Sequence, residues 1–240
     1  MIKKISIFYL LAFVFTIVIA ILQGMTRLDF ELVILPQLGP AFAAFVYLFF
    51  FKNVAIRLNF GFDTHLIPKK LIAFATPILI IGTAFLIGKA VGIEVSITDD
   101  HKYPVFMLAG GMLIGAIGEE IGWRGFLQPL LENGYSRAKA TTILGVLWGL
   151  WHIGQYKNGP LFMLGFLIFT VSASFVLRKI LENTQFNVWI AASFHLATNV
   201  GFYFFFKNNL TDAYFMLING AVWAIIALFS QKITLYKAQH

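Results

Sequence analysis

The chain has 240 residues, of which 59% are hydrophobic and only 12% carry a charge, and its mean hydropathy is +0.81. Soluble domains are about one-quarter charged, so this composition excludes a soluble globular protein and indicates an integral membrane protein. The net charge of +7 does not indicate nucleic acid binding, because the basic residues are scattered singly or in pairs between apolar runs. The absence of cysteine excludes disulfides, thiol catalysis and thiolate metal sites.

Eight apolar runs are long enough to cross a membrane, since about 20 helical residues span a hydrocarbon core of about 30 Å. We interpret the first run, which follows two lysines, as an uncleaved span, because it is longer than a signal-peptide core and lacks a clear cleavage site. The sequence predicts an all-α, polytopic membrane helix bundle that forms a single transmembrane domain over residues 1–240. The predicted spans are residues 5–24, 31–51, 71–92, 104–126, 138–156, 160–181, 186–206 and 212–230.

Basic residues are distributed unevenly between the two sets of connections. One set, which includes both termini, carries twelve: Lys3, Lys4, Lys52, Arg57, Lys69, Lys70, Arg137, Lys139, Arg178, Lys179, Lys232 and Lys237. The opposite set carries five: Arg27, Lys89, Lys102, Lys157 and Lys207. Because cytoplasmic loops carry the excess of Lys and Arg, both termini are predicted to be cytoplasmic, in a multi-pass protein of the cell membrane.

The fourth run is rich in glycine and contains two small-xxx-small steps, Gly111/Gly115 and Gly118/Gly122. Small residues at this spacing let helices approach closely in lipid, so we interpret these glycines as packing positions.

Three ionisable residues in the same run, within GEEIGWRG, mark a candidate site, because charged side chains inside a membrane are costly. Glu119 and Glu120 are about 100° apart on a helix, whereas Arg124 lies four residues beyond Glu120 on the same face. We therefore predict that Arg124 pairs with Glu120 and that Glu119 is free to act as a general base. A structural Glu–Arg pair with a spectator acid is the alternative.

Polar residues also interrupt two later spans. His152 lies in the fifth, and His195 and Asn199 lie four residues apart on one face of the seventh. Polar groups without partners cost several kcal/mol in lipid, so a single polar cavity shared by the three spans is the economical arrangement. We predict this cavity between the fourth, fifth and seventh spans and expect it to be reached from the cytoplasmic side.

These residue types suit hydrolysis. A carboxylate and a histidine can deprotonate a water, while a second histidine and an amide can donate hydrogen bonds to an oxyanion. Alternatively, Glu119, His152 and His195 could ligate Zn²⁺, which would lower the pKa of a bound water. The residues leave both mechanisms open, so the cofactor is either Zn²⁺ or none.

Three motifs in order resemble the CPBP family of intramembrane proteases, which includes type II CAAX prenyl endopeptidases and bacterial relatives tied to bacteriocin self-immunity and lysostaphin resistance. EEIGWR matches the family's EExxxR element, WGLWH matches FxxxH with Trp148 in place of Phe, and HLATN matches HxxxN. The resemblance covers residues 104–206, which would form the catalytic core.

The resemblance implies a role for each site residue. Glu119 and His152 would activate the water, and His195 and Asn199 would stabilise the oxyanion. Glu120 and Arg124 would shape the site. The expected partners are membrane lipid and a peptide or protein substrate, which in the CAAX branch of the family is lipidated.

Two other functions compete with this interpretation. Intramembrane Glu, His and Arg side chains also form proton relays, so the chain could be a proton-coupled transporter, although it shows no inverted repeat. It could also be a non-catalytic immunity scaffold that keeps the motifs but acts by binding.

We predict that reporter fusions will place both termini in the cytoplasm, because the twelve-to-five distribution of basic residues orients the bundle. Fusions at each connection should alternate between the two sides. A carboxyl-terminal fusion that reports an external location would contradict this orientation.

Overall fold

The computed structural model describes residues 1–51, 56, 58–94, 101–206 and 211–238. Within these residues the regular structure is helical, without a β-strand, which confirms the predicted all-α membrane bundle. The α-helices are α1 (Ile2–Gly24), α2 (Gly39–Phe50), α3 (Ile67–Ala90), α4 (Val105–Glu120), α5 (Gln128–Glu132), α6 (Arg137–Trp151), α7 (Pro160–Ile180), α8 (Val188–Phe206) and α9 (Ala213–Ala238).

Six helical segments in the described part of the chain are long and apolar enough to cross a membrane: Ile2–Gly24, Thr64–Ala90, Val105–Glu132, Pro160–Ile180, Val188–Phe205 and Ala213–Lys232. The predicted second span corresponds to the shorter apolar helix Leu35–Phe50. The predicted fifth span corresponds to α6, which has 15 residues. A count of eight spanning helices therefore stays a prediction, and three of the basic residues behind its orientation, Lys52, Arg57 and Lys207, lie outside the described residues.

The predicted end of the fifth span at residue 156 is wrong. Helix α6 stops at Trp151, and His152 turns the chain with φ −76° and ψ 60°. A 3₁₀-helix, Ile153–Asn158, follows and carries no buried residue. His152 thus caps a helix end instead of lying inside a span.

Contacts between connections define the two ends of the bundle. At the end that we call distal, Lys102 and Tyr103 donate hydrogen bonds to Asp29, and the Tyr203 hydroxyl donates to Glu31 over 3.2 Å. The Lys102 hydrogen bond lowers the pKa of Asp29 to about 2, so this contact persists at neutral pH.

At the opposite end, which we call proximal, Arg137 pairs with Glu182 over 2.6 Å. The amide of Val188 donates to the Asn59 carbonyl over 2.9 Å. Gly134 is so close to Met1 that a Cβ there would overlap it. The first helix therefore begins at the proximal end.

The connection between α1 and α2 is fixed by a buried amide. The Gln23 side chain donates to the Val33 carbonyl over 2.7 Å and accepts from the Leu35 amide over 2.9 Å. These bonds satisfy backbone groups that the chain cannot pair within a helix. They fold residues 25–38 back into the distal end of the bundle.

The glycines of the fourth predicted span face this folded-back segment, which confirms their packing role. A Cβ on Gly111 would overlap Leu32, and one on Gly115 would overlap the side chain of Gln37. A Cβ on Gly118 would lie 2.7 Å from the side chain of Leu38, and one on Gly122 would overlap Pro40. Because these four glycines have no side chain, the backbone of the segment can lie directly on this face of the helix.

Candidate active site

The acidic cluster lies where α4 changes its helical form. Glu119 and Glu120 end α4, and a π-helix, Ile121–Leu127, carries Arg124. All three side chains are buried. π-helical turns are rare and occur often at functional sites, since they redirect side chains within a helix.

Two neutral donors hold the Glu119 carboxylate. Gln37 donates from Nε2 to Oε1 over 2.8 Å, and Trp148 donates from its indole nitrogen to Oε2 over 2.7 Å. Arg124 pairs with Glu120, as predicted, but the prediction that the Glu119 carboxylate is free is wrong, because each of its oxygens accepts a hydrogen bond. Both donors fix the orientation of the carboxylate without neutralising its charge.

Glu120 pairs with Arg124, as predicted, and also binds a histidine. Its Oε1 accepts from Arg124 Nη1 over 2.9 Å and lies 2.7 Å from His195 Nδ1. The second arm of the guanidinium, Nη2, donates to the Ser174 hydroxyl over 3.1 Å, and its central carbon lies 4.3 Å from the centre of the Trp148 ring. One buried arginine thus ties α4 to α6 and α7.

His195 lies between the two carboxylates. Because Glu120 Oε1 is an acceptor, Nδ1 of His195 carries a proton and donates it. The other ring nitrogen, Nε2, lies 3.9 Å from Glu119 Oε1. An imidazole protonated on both nitrogens would therefore face a carboxylate oxygen on each side.

His152 reaches the site from the end of α6. Its Nδ1 lies 2.8 Å from the Trp148 carbonyl, which can only accept, so Nδ1 carries the proton and Nε2 is an acceptor. The ring packs edge-on against Trp148, Trp151 and Phe166. These aromatic contacts hold the ring although the helix has ended.

A cavity of about 360 Å³ lies beside the cluster and is lined by both histidines. Its polar lining includes Gln37, Trp148, His152, His195 and Asn199, and Glu119 bonds two of these residues. The predicted shared cavity is thus present, and residues 30–37 complete it together with α4, α6, α7, α8 and α9. Much of the remaining lining is aromatic, as expected for a site that binds an apolar ligand.

The lining belongs to the distal end of the bundle, opposite the start of α1. Residues 30–34 and Tyr203 lie at its outer part. The sequence predicted cytoplasmic termini together with access from the cytoplasm. These two predictions are incompatible with each other, because the cavity and the start of α1 lie at opposite ends of the bundle.

The proposed zinc ligands do not fit a metal site. In the described part of the chain, no three His, Cys, Asp or Glu side chains are placed to hold one ion. Each Glu119 oxygen accepts a hydrogen bond from an N–H group. The hydrogens of these donors point at the carboxylate oxygens, so a metal ion would have to compete with them for the same oxygens. The arrangement therefore does not support the metalloprotease alternative built on Glu119, His152 and His195.

Sequence reasoning missed three contributors to the site. Gln37 is a lone amide in an apolar run, and the rule that singled out Asn199 would have found it. Trp148 was identified only as the residue in place of Phe in the FxxxH motif, and its indole N–H donor was not considered. Ser174 gave no signal, because serines in apolar helices usually bond their own backbone, as Ser174 also does to Thr170.

Comparison with known proteins agrees with the motifs. The family model described as type II CAAX prenyl endopeptidase Rce1-like matches residues 101–201. Lysostaphin resistance protein A of Staphylococcus aureus strain MRSA252 is 26% identical over 90% of this chain and 54% of that protein. The same protein from strains Newman and USA300 is 25% identical with the same coverage. The chain spans about half the length of the curated relatives it matches.

We predict that Gly115→Ala will reduce catalytic activity about 2- to 12-fold, the equivalent of losing one hydrogen bond worth roughly 0.5–1.5 kcal/mol. The added Cβ would displace Gln37, which holds Glu119. Gly110→Ala is the matched control, because a Cβ there meets no atom within 4 Å.

Peptide cleavage by purified protein gives the activity, and thermal unfolding in detergent shows whether each variant folds. The double variant Gly115→Ala/Gln37→Ala should lose no more activity than the weaker single variant, since both remove the same bond. Additive losses would contradict the proposed contact.

Proposed function

Because the chain belongs to the CPBP family, we propose that it is an intramembrane endopeptidase, which hydrolyses a peptide bond of a membrane-associated substrate with a water activated by Glu119. One observation carries this proposal: the Glu119 carboxylate and the His195 imidazole lie 3.9 Å apart beside one apolar cavity. At this separation, a base can act on the oxygen of the attacking water while a hydrogen-bond donor acts on the carbonyl oxygen of the peptide bond.

The first step is attack by water on the carbonyl carbon of the substrate. A water bonded to Glu119 gives its proton to the carboxylate as its oxygen bonds to that carbon. His152 Nε2, an acceptor, orients the second hydrogen of the water. The separation of Glu119 Oε1 and His195 Nε2 leaves room for this water beside a carbonyl oxygen bonded to the imidazole.

The second step is collapse of the tetrahedral intermediate. Its oxyanion accepts one hydrogen bond from His195 Nε2–H, with the ring in the imidazolium form because Nδ1–H is already held by Glu120. It accepts a second from the side-chain amide of Asn199, which lies one turn further along α8. The carbon–nitrogen bond then breaks, and Glu119 returns its proton to the leaving amine. The products are a carboxylic acid and an amine, and the enzyme regains its initial state.

Supporting residues keep these groups in position. Gln37 and Trp148 orient Glu119, while Glu120, held by Arg124, orients His195. Catalytic sites commonly combine a reacting side chain, a partner within hydrogen-bond reach and a third group that orients the partner. Since Gln37 lies outside residues 104–206, we propose that the functional unit is larger than the core carrying the three motifs.

A non-catalytic function is the second candidate. The relatives that match 90% of this chain are resistance proteins by name, and a resistance protein can act by binding alone. In that case the buried Glu–His–Arg cluster would serve only to hold the bundle together.

We predict that Glu119→Gln will reduce peptide cleavage about 10²–10⁴-fold, the usual contribution of a general base. The amide is nearly isosteric but cannot take a proton from water. Glu182→Gln, which weakens the two ion pairs with Arg137 and Lys179 at the proximal end, is the control and should keep full activity. Unchanged cleavage by Glu119→Gln would end the enzymatic proposal, and an unchanged resistance phenotype without cleavage would support the binding function.

We predict that Arg124→Ala will lower both yield and thermal stability, because it leaves Glu120 buried without its cation at a cost of about 3–5 kcal/mol. Arg137→Ala is the matched control: its side chain is 54% exposed, and exposed pairs are worth about 0–1 kcal/mol. Thermal unfolding of the two variants in the same detergent measures the difference. Equal stabilities would show that the buried pair is dispensable.

A further inference from the structure

The active cavity extends from mid-bundle toward the distal end alone. Helix α7 contributes Phe162, Phe166 and Phe169, which lie in the half nearer its distal start. Helix α8 contributes residues from His195 to Tyr203, and none from its proximal first turn. The inner part of the cavity therefore includes His195, and Glu119 lies behind its wall, bonded to the lining residues Gln37 and Trp148.

The outer end of the cavity is built by the connection between α1 and α2. Phe30 and Ile34 line it, and their side chains are 44% and 46% exposed. This rim is held in place, since Gln23 bonds Val33 and Leu35 and Asp29 bonds Lys102 and Tyr103. The opening is thus a fixed part of the fold. Its most exposed side chains, Phe30 and Ile34, are apolar, and Glu31 and Tyr203 also line it.

The charge distribution assigns a side of the membrane to this opening. Among the basic residues whose side chains the structure describes, the distal connections carry four: Arg27, Lys89, Lys102 and Lys157. The proximal connections carry nine: Lys3, Lys4, Lys69, Lys70, Arg137, Lys139, Arg178, Lys179 and Lys232. Cytoplasmic connections carry the excess, so the proximal end faces the cytoplasm and the distal end faces outward.

From these observations we propose that the substrate enters from the extracytoplasmic side, as a peptide segment that places apolar side chains among the cavity aromatics. This inference rests on the proposed function and names its substrate class. A lipidated carboxyl terminus in the cytoplasm, the substrate expected for a CAAX endopeptidase, would meet the proximal end, from which no described residue lines this cavity.

The first experiment determines which side the cavity faces. The chain has no cysteine, so single cysteines can be introduced without a background. Met25→Cys reports the distal end, where Met25 is 80% exposed, and Thr64→Cys reports the proximal end at an exposed position. In intact cells, a membrane-impermeant maleimide should label Met25→Cys, and it should label Thr64→Cys only after lysis. The reverse pattern would overturn the proposal.

The second experiment tests entry through the rim. Ile34→Cys protein is reconstituted in sealed liposomes, and quenched fluorescent decapeptides with central Phe and Leu residues are added outside. Cleavage should fall at least tenfold after the impermeant maleimide is added outside, compared with the same preparation before labelling. Cleavage that continues after complete labelling of the outward-facing rims would overturn the proposal.

Activity in detergent separates the two possible failures. If solubilised wild-type protein cleaves the decapeptides but the rim modification has no effect, the entry route is wrong and the enzymatic function stands. If solubilised protein cleaves none of a decapeptide library that varies the central residues, the proposed function itself fails.

Discussion

The burial of two adjacent carboxylates is the constraint on which the rest of this structure depends. On a helix, Glu119 and Glu120 point about 100° apart, so one set of partners cannot stabilise both. A charged group in a membrane interior needs hydrogen-bond partners or an opposite charge close by. Glu120 has the arginine, whereas Glu119 depends on the neutral N–H groups of Gln37 and Trp148.

The requirement for Gln37 explains features that lie far from the reacting atoms. Gln37 reaches Glu119 only because the chain after α1 folds back against α4, and the glycines of α4 make room for it. Gln23 then satisfies the backbone groups that the folded-back segment exposes. The hydrogen bond to Glu119 thus depends on how the first two helices pack, and the same segment forms the rim of the cavity.

Much of this arrangement could be predicted from the sequence because it follows from local rules. Apolar run lengths predicted the helical bundle, and the spacing of Glu120 and Arg124 predicted their pair. The end of α6 at Trp151 was missed, because Ile153 and Tyr156 extended the predicted span although Gly154 follows the helix end within three residues.

Contacts between residues far apart in the chain could not be predicted from the sequence either. The bond between Gln37 and Glu119 joins residues 82 positions apart, and no local pattern specifies such a partner. The position of the cavity was also missed. It depends on which half of each helix carries the small and aromatic side chains that face one another across the bundle.

Trp148 couples the catalytic base to the substrate cavity. Its ring lines the cavity and packs against His152 and His195, while its face lies over the Arg124 guanidinium. A phenylalanine, the residue of the family motif at this position, would keep these aromatic contacts but has no N–H to donate to Glu119. Any change that reshapes the cavity at residue 148 therefore also changes the hydrogen bonding of the base, so in this chain substrate fit and the strength of the base cannot vary independently there.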